Sequence, residues 1–371
     1  MPKYRDIYIE DGKALANSGV YTVEIETADP ISELWVNFGA VNGATSNKNS
    51  PIPRVISKIE IVDGANVIYS LDGELAHMLY YYQTGQLAEN SMVEAENLSQ
   101  YASFPIRFGR WLWDEVFALI PAKFRNLQLK ITWDLAAVNA IGATGFLTGS
   151  AQLWVIARVM EGLSAAPAAY IMSKNHMNFV TAASGDERVD LPSDYPYALL
   201  MLRAYEAGVD MGDSITNAKL SLDHDKDVPF DIHMGDWMSL LRQEYGIIES
   251  RIYSEGATAV AREDWIGSED GADIEVISPN CVGGVATLTS GQLTPRYSDY
   301  AGVAIVGDVQ SFLRIYGVCM FNTIAHKFGN YEDEASYLNA PGYGDIKLIL
   351  TQGNAGATVD VVLSQLRSYA V

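Results

Sequence analysis

Apolar and polar positions alternate with a period of two along most of this chain. Leu127, Leu129, Ile131 and Trp133 are interleaved with Gln128, Lys130, Thr132 and Asp134; Tyr21, Val23 and Ile25 with Thr22, Glu24 and Glu26; Leu153, Val155, Ala157 and Val159 with Trp154, Ile156 and Arg158. Each run predicts a strand with one buried and one wet face, because successive side chains of a strand point to opposite sides. Asp63-Gly64, Asn42-Gly43, Gly145 to Gly149 and Gly353-Asn354 separate the runs, as turn formers do. Many short strands and few helices place the chain in the all-β class, as sandwiches or barrels.

Only two segments read as helices, over residues 73–84 and 235–245. Each has an acid in its first turn (Glu74, Asp236) and a glycine just past its end (Gly85, Gly246), which suits the helix dipole and the C-terminal cap. Their likeness extends to their surroundings. Leu34 to Phe38, Ile59 to Asp63 and Val67 to Leu71 precede the first helix; Leu200 to Arg203, Leu220 to Asp223 and Val228 to Ile232 precede the second in the same order. After the helices, Leu127 to Ile131 echoes Ile346 to Leu350, and Leu153 to Val159 echoes Val359 to Leu366. The chain therefore reads as two copies of one β module: an N-terminal arm at 1–19, a first module at 20–160, a linker at 161–184 and a second module at 185–371. Between its helix and the strand that begins at Ile346 the second copy carries about 57 more residues than the first does between Gly73 and Leu127, and this insertion is expected at about 247–300, a stretch rich in Gly, Ser, Thr and acids. An insertion of that kind is tolerated where it projects into solvent.

The formal net charge of -21 disfavours binding to phosphate backbones and anionic lipid surfaces. No N-terminal apolar run resembles a secretory signal, and no stretch is long enough to span a bilayer as a helix. Cys281 and Cys319 are too few for a disulfide framework or a four-cysteine zinc site and read as two reduced thiols.

Signatures of catalysis are missing: there is no nucleophile elbow, phosphate-binding loop, zincin motif or dinucleotide fingerprint. His224 and His233, on neighbouring strands, are the closest approach to a metal spacing. Asp223 to Asp227 has the alternating acids of a calcium loop but lacks the glycine and the terminal glutamate that such a loop needs, so a charged turn is expected. Trp111, Trp113, Trp133 and Trp154 could line a sugar groove, or simply pack in cores and interfaces. No catalytic residue, cofactor or metal ligand is assigned.

Two fused β modules with one short helix each, an enlarged loop in the second and no catalytic motif resemble the double jelly-roll major capsid proteins of tailless icosahedral double-stranded DNA viruses, the adenovirus–tectivirus lineage, in its shorter prokaryotic-virus form. The likeness is carried by Ile56 to Gly64 followed by Ile68 to Leu71 and a helix, and by Phe104 to Arg110 followed by Phe124 to Leu129. It covers residues 20–371. It implies two tandem eight-stranded jelly rolls, the second bearing a tower, and a homotrimer that forms a pseudo-hexameric capsomer of an icosahedral shell. It further implies a virion protein, made in the host cytoplasm, whose partners are itself, minor capsid and penton proteins and an internal membrane, without sequence-specific nucleic-acid binding. The competing reading is a jelly-roll carbohydrate-binding or glycan-hydrolysing protein. Aromatics concentrate in interface cores, so Trp111, Trp113, Tyr80, Tyr81, Tyr82 and Trp237 are expected in module or subunit seams.

Overall fold

The computed structural model describes residues 2–369 apart from 44–50, 138–144, 207, 257–261, 264–265, 279–282, 290–291 and 306–308. The first nine strands are β1 (Lys3–Ala14), β2 (Ser18–Glu24), β3 (Ile31–Val41), β4 (Ile56–Asp63), β5 (Asn66–Leu71), β6 (Asn90–Glu94), β7 (Ser99–Arg107), β8 (Leu127–Asp134) and β9 (Gln152–Glu161). A single-turn helix α1 (Ile52–Val55) precedes β4, and α2 (Gly73–Thr84) follows β5. Four strands in the order β1-β9-β3-β7 face four in the order β2-β8-β4-β5, which is an eight-stranded jelly roll. Alternation places the core between them: Leu127, Leu129, Ile131 and Trp133 of β8 and Leu153, Val155, Ala157 and Val159 of β9 are all buried.

The second module repeats this plan. Its strands are β10 (Ala169–Val180), β11 (Gly185–Asp190), β12 (Tyr197–Tyr205), β13 (Ile215–Leu222) and β14 (Asp227–His233), with helices α3 (Met211–Ser214) and α4 (Met234–Tyr245). After the inserted strands β15 (Ile248–Gly256), β16 (Arg262–Glu263), β17 (Ile266–Val276), β18 (Gly283–Thr289), β19 (Gln292–Ser298) and β20 (Val309–Met320) come β21 (Thr323–Lys327), β22 (Ile346–Gln352) and β23 (Thr358–Ser368). The orders β10-β23-β12-β21 and β11-β22-β13-β14 match those of the first module strand for strand. All five strand pairs read from the sequence fall on equivalent strands, and α2 and α4 each follow the last strand of the second sheet. The fold is all-β with two tandem jelly rolls.

Three sequence expectations are corrected. Residues 1–19 are not an arm: β1 pairs antiparallel with β9 from Lys3 opposite Glu161 to Ala14 opposite Gln152. Its polar composition misleads because an edge strand is held by main-chain bonds to a single neighbour and can leave most side chains in water. Nor is 161–184 a linker throughout, since β10 occupies Ala169–Val180 and pairs with β23 along its length. The insertion also runs past residue 300, because β20 pairs with β15 and β17 and belongs to the added sheet. That sheet is joined to the first module, not only the second, since β15 pairs in parallel with β6 from Ile252 opposite Met92 to Ser254 opposite Glu94.

Candidate functional site: the seam between the modules

The modules meet edge to face. Strand β5 ends the second sheet of the first module and pairs in parallel with β10, Tyr69 opposite Ser173 and Ser70 opposite Lys174. This pairing brings α1 and α2 against the outer face of β12 and β23. Strand β12 is consequently buried over all but its last residue: one face lines the module core and the other lies in the seam.

Among the described residues, Arg54, Asp72, Glu74, Arg203 and Asp360 form one charged cluster in that seam. Arg203 of β12 donates from Nε to Asp360 of β23 at 2.8 Å, from Nη2 to Asp72 at 2.6 Å and from Nη1 to Glu74 at 3.1 Å. Asp72 also caps α2 by accepting the Leu75 N–H at 2.8 Å. Arg54 of α1 donates to Glu74 at 2.7 Å and to the Tyr205 hydroxyl. Three carboxylates thus face two guanidinium groups, and Asp72, Glu74, Arg54 and Arg203 among them line an open cavity of about 430 Å³. Burial pushes the Asp72 carboxyl above its ordinary value against the pull of Arg203, with Glu74 and Asp360 adding to the rise. Burial alone would loosen the Arg203 proton, but Asp72, Asp360 and Glu74 reverse this and hold it tighter than in water. Such a network contributes little by simple Coulomb counting, yet losing one partner strands the others as buried charges.

Aromatic side chains close the far end of the seam. Tyr81 and Tyr82 of α2 pack on Tyr245 at the end of α4, with ring centroids 5.4 and 5.3 Å away. Tyr82 donates to the Thr323 carbonyl at 2.6 Å, and Tyr245 donates to the Tyr82 carbonyl at 3.0 Å. His77 of α2 meets Phe321 edge to face at 6.3 Å. Phe321 and Asn322 form the β20–β21 turn with φ of 56° and 52°, unfavourable for a phenylalanine; the Asn322 amide secures the turn by donating to the Ala204 and Val209 carbonyls.

Of the remaining expected seam residues, Trp111 lies beside the seam, stacked on Arg110 at 4.4 Å. Arg110 forks onto Asp114 at 2.8 and 3.1 Å and reaches across to the Glu332 carbonyl and the Glu334 carboxylate of the second module. Trp113, at φ 68°, stacks on Tyr4 at 5.0 Å on the surface of the first module. Tyr80 is half-buried beside Arg107 of its own module. Trp237 does not lie between the two modules of the chain: it is buried inside the second module against Phe230 at 5.0 Å and donates to the Ala325 carbonyl. The tryptophans do not share a groove, since Trp133 is core and donates to the Ala16 carbonyl at 2.8 Å.

Sequence reading missed the charged network, although it left a trace: Arg203 and Asp360 interrupt apolar runs in Leu199 to Ala204 and Val359 to Leu363. The acids of the β13–β14 turn are engaged locally. Asp223 accepts the Gly344 and Asp345 N–H groups, and Asp225 accepts from Lys219 at 2.8 Å. His224 is exposed and faces Asp345 at 3.3 Å. Among the described residues no group of three or more His, Cys, Asp or Glu is placed to hold a metal ion. Cys319 is buried; Cys281 lies outside the described residues.

No protein-family model matches the chain, and no curated protein matches it in sequence. Solved structures do match. The crystal structure of the major capsid protein P2 from bacteriophage PM2 superposes with a TM-score of 0.56 at 10% identity, covering 99% of this chain and 98% of that one. A chain of the atomic structure of Sulfolobus turreted icosahedral virus gives 0.61 at 11% identity, covering 99% and 92%. A chain of the PBCV-1 virus capsid gives 0.56 at 10%, covering 99% and 94%. At this identity the likeness shows the fold alone, and it extends over both modules and the seam between them.

Proposed function

We propose that this chain is a structural, self-assembling major capsid protein of an icosahedral virus. Three copies form a pseudo-hexameric capsomer, and the capsomers tile the virion shell. The observation that carries the reading is the end-to-end correspondence, in both directions, with chains of the PM2, Sulfolobus virus and PBCV-1 capsids. A jelly roll by itself serves many functions; two in tandem at this fixed relation are a narrower arrangement. The buried charges support it as well. They pair with one another across the seam and so fix the relation of the two modules, as a six-cornered building block made from three chains requires. No catalytic step, metal or cofactor is assigned to the chain.

The inserted sheet, rooted on both modules, is the tower of this reading and forms the outer surface of the shell. Light scattering and negative-stain microscopy of the purified chain test the proposal. A particle of three chains with a six-lobed outline is expected. A stable monomer at high micromolar concentration would overturn it.

A further inference from the structure

His77 stands in the middle of α2 and is fully buried, with the Phe321 ring of the second module against it. Neither of its ring nitrogens has a hydrogen-bond partner among the described residues. A buried polar group in that state calls for a reason, because apolar packing alone is served better by a phenylalanine or a leucine.

Phe321 is itself held in an unfavourable conformation. Cys319, Phe321 and Asn322 have φ of 58°, 56° and 52°, and residues other than glycine persist in this region only where their surroundings hold them. The restraints come from α2 and from the stretch around β12. Tyr82 donates to the Thr323 carbonyl, the Ala204 N–H donates to the Asn322 carbonyl at 3.1 Å, and the Asn322 amide donates to the Ala204 and Val209 carbonyls. This turn also roots the inserted sheet. It ends β20, which pairs with β15 on one side and β17 on the other, so whatever loosens the turn loosens the strand that those two share.

The ionisable groups on the elements packed against α2 are engaged elsewhere. Asp72 and Glu74 are taken by Arg203 and Arg54. Arg107 of β7 pairs with Glu33, Lys58 of β4 with Glu60, and Lys327 of β21 with Glu244. Asp63, at the end of β4, accepts the Arg125 and Asn126 N–H groups. Burial holds Tyr81, Tyr82 and the Cys319 thiol in their neutral forms. What favours a charged ring is the Ser103 main chain, and burial outweighs it. A proton on His77 thus places a charge without a counter-ion in an apolar seam, which is costly unless the seam opens to water.

We propose that His77 and the turn at 319–322 form an acid-sensitive latch. With the ring neutral, α2 closes on Phe321 and the turn is held. When the ring takes a proton, Phe321 leaves it, the left-handed residues relax and the end of β20 is released, while both jelly rolls stay folded. Strain in the turn makes this the part of the seam that gives way first. The direction follows from the ring's two environments: about 4 when buried and 6.5 in water, so opening gains ground as pH falls from 6.5 toward 4. The latch is a property of the single chain and stands apart from the capsid reading.

Hydrogen exchange on the full chain at pH 7 and pH 5 tests it. Protection at residues 318–324, corrected for the pH dependence of free amides, should fall roughly twentyfold, while Leu220 and Leu348 inside the second module keep theirs. His77→Phe retains a ring that cannot take a proton and should cancel most of that fall. Deuteration at the imidazole carbon of the unaltered chain reads the ring without any variant, and should show His77 still neutral at pH 5. Protection that stays level between pH 7 and pH 5, or that falls equally in His77→Phe, would overturn the latch. So would a ring charged at pH 5 while the turn remains protected. Each of these outcomes leaves the capsid reading untouched, since light scattering reads assembly separately.

Discussion

Helices α2 and α4 have the same length and the same place in their modules, yet ten of twelve residues are buried in α2 and four in α4. The first helix is roofed by the second module: Arg203 holds its N-terminal end, Phe321 lies on its middle and Tyr245 on its last turn. The second has no such roof within the chain. Identical elements in identical topology thus acquire different surroundings because within the chain the second module covers α2, while α4 keeps most of its residues in contact with solvent.

The largest effect expected from breaking this asymmetry is at Arg203. Arg203→Ala leaves Asp72, Glu74 and Asp360 without their shared partner and should cost about 3–5 kcal/mol, as loss of one member of a buried ion network does. The equivalent change in the first module, Asn37→Ala, removes a hydrogen bond to Ser103 and should cost about 1 kcal/mol. Chemical denaturation of both variants compares the two modules directly. Equal losses would mean that the seam is not held by this network.

A pH effect follows at His77. Burial pushes the imidazole down from its ordinary 6.5 to about 4, with the Ser103 backbone opposing. The fold therefore holds the neutral ring. Its contribution is complete above pH 6.5, declines as pH falls and is gone below about 4, a span of about 3 kcal/mol. Denaturation midpoints at pH 7 and pH 4.5 should differ less in His77→Phe than in the unaltered chain. An unchanged difference would assign the acid sensitivity elsewhere.

Each helix carries a glycine in its first turn, Gly73 in α2 and Gly235 in α4, and the two should respond with opposite signs. A Cβ on Gly73 would lie 2.3 Å from the Pro53 carbonyl oxygen, whereas one on Gly235 would meet nothing within 4 Å. Gly73→Ala should lose about 1–3 kcal/mol through overpacking. Gly235→Ala should gain about 0.5–1 kcal/mol through helix propensity. Thermal unfolding of the pair reads the sign, and a loss in both would show that α4 is as enclosed as α2.

Much of the fold was legible because strand alternation is a local property. Leu127 to Trp133 and Ile346 to Leu350 bury every second residue as their sequences predict, and the order of such runs was enough to reveal the repeat. Composition misled where main-chain bonds do the holding: β1 is polar and yet is a sheet strand, and Ala169–Val180 starts the second module despite its linker-like approach. The seam was only half legible. Tyr81 and Tyr82 pack on Tyr245 of the other module, whereas Trp237, with the same chemistry, packs on Phe230 of its own.

The sequence by itself determined the class, the two copies, the helices and the surplus in the second copy, since each is written in residue spacing that a strand or helix must obey. Only the tertiary structure decided which face of each copy is covered. Burial on the outer side of β12, the meeting of Arg203 with Asp72, Glu74 and Asp360, and the opposite environments of Gly73 and Gly235 depend on how one module sits against the other. Contacts between residues more than a hundred positions apart leave no period in the chain.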